Sequence, residues 1–104
     1  MIRGTTPSIM FKIKDMPVST IYNFYITFTQ NGKVIFEKTK DSPGVSVNED
    51  ENTITADLTV DETLSFKADE ELISQVMVIT IDGKVGSTDK YYFDVEDSLH
   101  YSKQ

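Results

Sequence analysis

The sequence predicts an all-β domain, a sandwich or small barrel of about seven short antiparallel strands. Three observations predict it. Apolar and polar residues alternate in run after run, which is the period of a strand. Turn residues separate the runs at near-regular spacing, with Asn31-Gly32 and Asp82-Gly83 each standing between two alternating arms. No stretch sustains the 3.6-residue period of a long helix.

Ser8 to Lys14 sets Ile9, Phe11 and Ile13 on one side and Met10, Lys12 and Lys14 on the other, and Asp15-Met16-Pro17 closes it. The next run sets Tyr22, Phe24, Ile26 and Phe28 against Asn23, Tyr25, Thr27 and Thr29. After Asn31-Gly32, Val34 and Phe36 alternate with Ile35 and Glu37. Gly44 to Val47 is a short strand, and Asn48 to Asn52 (NEDEN) is a polar turn. Thr53 to Val60 sets Ile54, Ala56 and Leu58 on one face. Thr59 and Glu62 have capping-box spacing, which predicts a helical turn over Val60 to Leu64. Leu72 onward is a second hairpin: Val76, Val78 and Thr80 oppose Met77, Ile79 and Ile81, and Tyr91, Phe93 and Val95 oppose Lys90, Tyr92 and Asp94. Ser98 to Gln104 reads as a frayed tail.

The first hairpin admits two registers. A two-residue loop over Asn31-Gly32 pairs Gln30 with Lys33 and, in a regular ladder, sets Ile26 against Glu37. That puts a carboxylate in the aromatic row, at a cost of several kcal/mol, order of magnitude. A three-residue loop with Gly32 in a bulge pairs Thr29 with Lys33, Phe28 with Val34 and Ile26 with Phe36, and sends Glu37 to water. A one-residue slip exchanges the faces of a strand, so burial favours the three-residue loop. The same solution fits Ile81-Asp82-Gly83, with Thr80 opposite Lys84. The expected core is then Phe11, Ile13, Phe24, Ile26, Phe28, Val34, Phe36, Ile54, Leu58, Leu64, Phe66, Val76, Val78, Tyr91, Phe93 and Val95. Met77, Ile79 and Ile81 fall outward with Tyr25, Ile35 and Tyr92, and a contiguous patch of these would mark an interface.

Composition narrows the function classes. The chain has 104 residues, enough for one domain. It has no cysteine, which excludes disulfides and thiolate metal sites. A net charge of −7 disfavours nucleic acid and anionic lipid as partners. No window approaches the roughly 20 apolar residues of a membrane span, and no apolar segment follows Arg3-Gly4 as in a secretory signal. Six Phe and five Tyr support a packed core in spite of the acidity.

Catalytic constellations are missing. His100 is the single histidine and lies in the tail, where a solvated side chain is expected. There is no Gly-x-Ser-x-Gly elbow and no phosphate-binding glycine loop. Asn48 to Glu51 lacks the ligand spacing of an EF-hand and reads as a polar hairpin tip. The expectation is a non-enzymatic domain with no cofactor and no metal.

Arg3 to Ile13 (RGTTPSIMFKI) resembles the opening of small proteins encoded in phage and prophage genomes of Gram-positive bacteria, which share an Arg-Gly-Thr-Thr-Pro signature before an alternating first strand. The opening is also similar to the N-terminal β-sandwich domain of phage baseplate upper proteins. Further segments resemble the small proteins: YITFTQNGKVIFEKT from Tyr25, LTVDETLSF from Leu58 and QVMVITIDGK from Gln75. Met77 stands where the pattern often has Arg, and Ile81 where it often has a polar residue. Both make the outer face more apolar, which favours an obligate contact. The tail has no counterpart in the pattern.

The expected fold is an immunoglobulin-like antiparallel β-sandwich with a short helical turn near 60–65, and the resemblance implies a virion structural protein of the tail or baseplate that binds other virion proteins. A head decoration or fibre-anchoring protein is the alternative. A different class is a small carbohydrate-binding or Ca²⁺-dependent adhesion domain, with Tyr25, Tyr92 or Tyr101 as a sugar platform. The expected organisation is an arm over 1–7, a sandwich over 8–97 and a tail over 98–104. The arm has two readings. Gly4 and the extended Thr5-Thr6-Pro7 give a fixed entry to the first strand, or Arg3, Thr5, Thr6 and Pro7 reach a neighbouring subunit. The candidate interaction residues are therefore Met77, Ile79, Ile81, Tyr25, Tyr92, Arg3, Thr5, Thr6 and Pro7.

Overall fold

The computed structural model describes residues 1–99, so the expectations for His100, Tyr101 and most of the 98–104 tail lie outside the described residues. The elements are β1 (Ser8–Lys12), a 3₁₀ turn (Val18–Thr20), β2 (Ile21–Gln30), β3 (Lys33–Thr39), β4 (Val45–Asn48), β5 (Thr53–Asp57), α1 (Val60–Leu64), β6 (Leu72–Thr80), β7 (Val85–Ser87) and β8 (Tyr91–Phe93). They form two antiparallel sheets, β1-β5-β4 and β3-β2-β6-β7, with β8 pairing farther along β6. This is the strand order of an immunoglobulin domain that has C′ but neither the first strand nor C″: B-E-D in one sheet and C′-C-F-G in the other. The fold is an all-β, immunoglobulin-like sandwich.

The last arm is expected as one strand and is interrupted. The Thr88 hydroxyl accepts the Val76 N–H at 3.1 Å, so a side chain takes a place in the ladder. The register moves by one residue across the break, from Met77 opposite Ser87 to Ser74 opposite Tyr91. The alternation survives: Tyr92 points out, and Tyr91 and Phe93 pack on the core.

Most of the expected core is inside. Phe11, Ile13, Phe24, Ile26, Phe28, Ile54, Leu58, Phe66, Val76, Val78 and Val95 are buried, joined by Ile9, Val18, Ala56 and Leu72. Two expectations are corrected. Leu64 is half-buried, because Thr63, one residue and about 100° earlier on the helix, takes the inward face. Val34 is 60% exposed.

The hairpin register explains Val34. Asn31 (φ 53°) and Gly32 (φ 74°) both adopt left-handed backbone, the signature of a two-residue type I′ turn. Gln30 therefore pairs with Lys33 and Thr29 with Val34, and the three-residue loop is not formed. The ladder then shifts, and Phe28 pairs with Phe36, leaving Ile35 as the extra residue of a bulge. Beyond it Thr27 faces Glu37 and Ile26 faces Lys38. Glu37 points to water and accepts the Thr27 hydroxyl at 2.9 Å, as the burial argument requires. The expected loop over Ile81-Asp82-Gly83 does form: Thr80 N–H donates to Lys84 O at 2.8 Å, and Gly83 has φ 87°.

The bulge carries Lys38 into the interior, where it is 4% exposed. Its ammonium meets Glu62 Oε2 at 2.7 Å and approaches the Pro43 carbonyl at 3.4 Å. The capping box fixes Glu62: its Oε1 accepts the Thr59 N–H at 2.8 Å while Thr59 Oγ1 accepts the Glu62 N–H at 3.1 Å. One carboxylate thus caps α1 and neutralises β3. Phe66, just past the helix, stacks on Phe36 at 5.4 Å and 17°. The α1 segment therefore covers the inner face of β3.

Two side-chain amides, the buried Gln30 and the half-buried Asn52, fasten the loops. Gln30 Nε2 donates to the Lys67 and Glu70 carbonyls at 2.9 and 3.0 Å, and its Oε1 accepts the Lys67 N–H at 2.8 Å. Asn52 Nδ2 donates to the Ile13 and Met16 carbonyls at 2.7 and 3.0 Å, and its Oδ1 accepts the Val18 N–H at 2.7 Å. Each side chain replaces water for three backbone groups that a loop leaves unpaired.

Burial works to raise the Glu62 carboxyl pKa, but hydrogen bonds from Lys38 and Thr59 and the nearby ammonium outweigh it and hold the group below the ordinary glutamate value. A lowered carboxylate stabilises the fold above its unfolded pKa, and that stability is lost as pH falls through the folded value. Glu62→Gln is expected to lower stability at pH 7 by about 1–2 kcal/mol, less than a fully buried pair because Glu62 keeps some contact with water. The gap from the parent should begin to narrow below about pH 4.3, the ordinary glutamate value, and shrink further as pH falls, in urea titrations. A gap constant from pH 7 to 3 would show that the ion pair contributes nothing.

Candidate docking face

The outer face of the larger sheet gathers the apolar residues that the core does not use. Strand order makes them neighbours. Tyr25 on β2 lies opposite Met77 on β6, Ile79 opposite Val85 on β7, and Ile73 opposite Tyr92 on β8. Val34 joins through Thr29, which pairs with both Val34 and Ile73. Met77 is 50% exposed, Tyr92 58% and Val85 64%. Tyr25, Ile73 and Ile79 are half-buried in the same surface. Thr27, Gln75 and Ser87 supply polar groups between them.

This face carries little charge. Among the described residues that the ladders place on it, Glu37 alone is ionised, on a chain of net charge −7. Depletion of charge with Tyr and Met at the centre is the composition of a protein–protein interface core.

The structure sorts the expected site residues into three groups. Met77, Ile79, Tyr25 and Tyr92 share the face. Tyr25 and Tyr92 are two strands and four ladder positions apart, about 16 Å, too far for one sugar ring to rest on both. Ile81 does not extend the stripe: it lies in the hairpin loop, 74% exposed, and its N–H is donated to the Thr20 carbonyl at 2.9 Å. Ile35, expected on the outer face, is instead the half-buried bulge residue and packs against the core, because the extra residue of the bulge leaves the ladder's alternation. Ile73, Val85 and Val34 are face residues that sequence reasoning missed. Period-two alternation from Met77 reaches Ile73, and Val85 pairs with Ile79 once the Gly83 loop is placed. Val34 is concealed by the bulge.

The N-terminal residues are pinned to their own domain. Ile2 forms a parallel bridge with Glu96. The Met1 ammonium donates to the Asp94 carbonyl at 2.7 Å, and Arg3 N–H to the Glu96 carbonyl at 2.8 Å. The Arg3 guanidinium pairs with Asp97 and donates to the Leu64 carbonyl at 2.9 Å. Thr63 is fully buried, and its hydroxyl accepts the Gly4 N–H at 2.9 Å and lies 2.9 Å from the Thr5 carbonyl. The Pro7 carbonyl accepts the Leu58 N–H at 2.9 Å. Residues 1–7 thus tie α1 to the end of the last strand, an arrangement that a fixed entry to β1 requires. Thr6 is exposed.

The Asn48–Asn52 tip is an ordinary polar turn, with the Glu51 N–H donated to Asn48 Oδ1 at 3.1 Å. Among the described residues no three acidic or histidine side chains converge as for a metal ion, and no helix is long and apolar enough to cross a membrane.

No family model matches the chain, and no curated protein matches it by sequence. Among solved structures it is similar to the V domain of amphioxus IgVJ-C2, at 17% identity and a TM-score of 0.36, over 91% of this chain and 96% of that one. It is also similar to the longer amphioxus IgVJ-C2 molecule, at 16% identity and a TM-score of 0.37, over 91% of this chain and 53% of that one. The chain therefore spans about half the length of that molecule. The fold assignment rests on strand order.

Deleting residues 1–5 tests the fixed entry. It removes several backbone and side-chain hydrogen bonds, each worth about 1 kcal/mol. The isolated chain is expected to lose at least about 5 °C in melting temperature. An unchanged melting temperature would restore the reaching arm.

Proposed function

We propose that this chain is a non-enzymatic structural protein of a phage virion, a tail or baseplate component that binds another virion protein through the outer face of its larger sheet. The observation that supports binding is the near-uncharged surface built around Tyr25–Met77, Ile79–Val85 and Ile73–Tyr92 on an acidic chain. A bare surface of this kind on a sheet is a partner site by default. The phage context is supported by the resemblance of Arg3 to Ile13 and of the segments from Tyr25, Leu58 and Gln75. The pinned N-terminus gives that signature a physical purpose, because Gly4 and Thr63 meet through a hydrogen bond. Binding requires no chemistry from the side chains on this face, which are apolar, hydroxyl or amide apart from Glu37.

The test uses particles released by a host that carries the gene. The chain should be found in purified particles by mass spectrometry. The double variant Met77→Asp, Val85→Asp changes two exposed side chains, so the isolated protein should keep its melting temperature within a few degrees. Its incorporation should fall at least about tenfold, the loss that about 1.4 kcal/mol produces. Absence of the parent chain from particles overturns the virion assignment, and undiminished incorporation of the folded double variant overturns the docking face.

A further inference from the structure

We infer that the free edge of β4 is a second binding site, one that accepts an extended segment of another protein by strand addition. The larger sheet has strands out to β3, whereas the smaller sheet ends at β4. The α1 segment covers part of the surplus. Where β3 gives way to Lys40, the gap between the sheets stays open as a crevice of about 260 Å³. Its floor is Phe24 and Ile54, and Val18 and Val47 wall it. Val47 pairs with the inward-facing Ile54, yet it remains 44% exposed because nothing lies beside it.

The backbone of β4 is set to receive a strand. The Asp57 N–H donates to the Gly44 carbonyl at 2.8 Å, which fixes the phase of the β4–β5 ladder. Ser46 and Asn48 then turn their hydrogen-bonding groups toward β5, and Val47 turns its N–H and C=O to the open edge. A segment paired there places the side chain facing Val47 into the crevice. An apolar cavity of about 150 Å³ takes a benzene ring, so this one takes a Leu, Ile, Met or Phe side chain. Backbone bonds along an edge with one pocket for an alternate side chain are the recurring mode of strand addition.

Charge selects the rest of the segment. Lys40 lines the crevice on the β3 side, and on the β4 side Glu49 is followed by exposed Asp50 and Glu51 at the hairpin tip, so acidic groups predominate along the β4 edge. The chain is also acidic overall. The occupant is therefore an extended segment with one bulky apolar residue and Lys or Arg beside it. This site stands apart from the outer-sheet face and does not depend on the virion reading.

The probe is a set of nine-residue peptides alternating Thr and Val, with Lys at both ends and each amino acid in turn at the centre, titrated into the full chain. Central Leu, Ile, Met or Phe should bind at least about tenfold more tightly than central Ala or Asp. Amide shift changes should centre on Val47, Phe24 and Ile54. Val47→Asp and Glu49→Lys, both at exposed positions, should each weaken binding about tenfold while leaving the remaining amide spectrum in place. Absence of binding, absence of a central preference, shifts confined to Tyr25 and Met77, or unchanged binding by both variants overturns the site.

Discussion

The bulge at Ile35 lets the first hairpin meet two demands that conflict in a regular ladder. Asn31-Gly32 is the sequence a type I′ turn prefers, because both positions need left-handed backbone. Starting from that turn, an unbroken ladder would carry Glu37 inward. One extra residue in β3 restores the alternation after two pairs, so Phe36 joins Phe28 inside at a centroid distance of 4.7 Å and Glu37 stays in water. The strand bends where the residue is inserted, and Val34, on the turn side of the bend, is left on the outer face.

Inside the sandwich, each contact past the bulge depends on the one before it. The shift places Lys38 opposite Ile26, where an unpaired ammonium would be costly. Glu62 meets it from α1, and the capping box that aims Glu62 also starts the helix. The helix positions Thr63 for the N-terminal segment and Phe66 for the aromatic stack. A buried ion pair is weak evidence for stability on its own, since burial costs nearly as much as attraction returns. Here it specifies position: it determines which segment covers the inner face of β3, and so where the sandwich closes and where it stays open beside β4.

Much of this is legible from local pattern. Alternation locates the strands, the Thr59 and Glu62 spacing locates α1, and Asp82-Gly83 locates a three-residue loop. Several of the failures concern contacts between residues far apart in the chain. Lys38 continues the inward row of Val34 and Phe36, and no local pattern names Glu62, the carboxylate from another element that meets it there. Gln30 and Asn52 read as turn polars, and their clamping roles appear only when the loops they hold are in place. Val34 is misplaced when turn preference and burial are weighed as rivals, because a bulge satisfies both. The outer face is legible as single residues, Met77, Ile79, Tyr25 and Tyr92, but its continuity requires strand order, which no local pattern contains.

The proposed role uses this division of surfaces. A sandwich with a sparsely charged outer sheet face, an acidic remainder and its N-terminus fastened down suits a part that is held in place by neighbours. The measurement closest to the foundation is the pattern of cross-strand proton contacts in the first hairpin by nuclear magnetic resonance. The account predicts α-proton or amide contacts that pair Gln30 with Lys33, Thr29 with Val34 and Phe28 with Phe36. Contacts that pair Thr29 with Lys33 and Phe28 with Val34 would turn Val34 inward, move Lys38 away from Glu62, and contradict the account at its base.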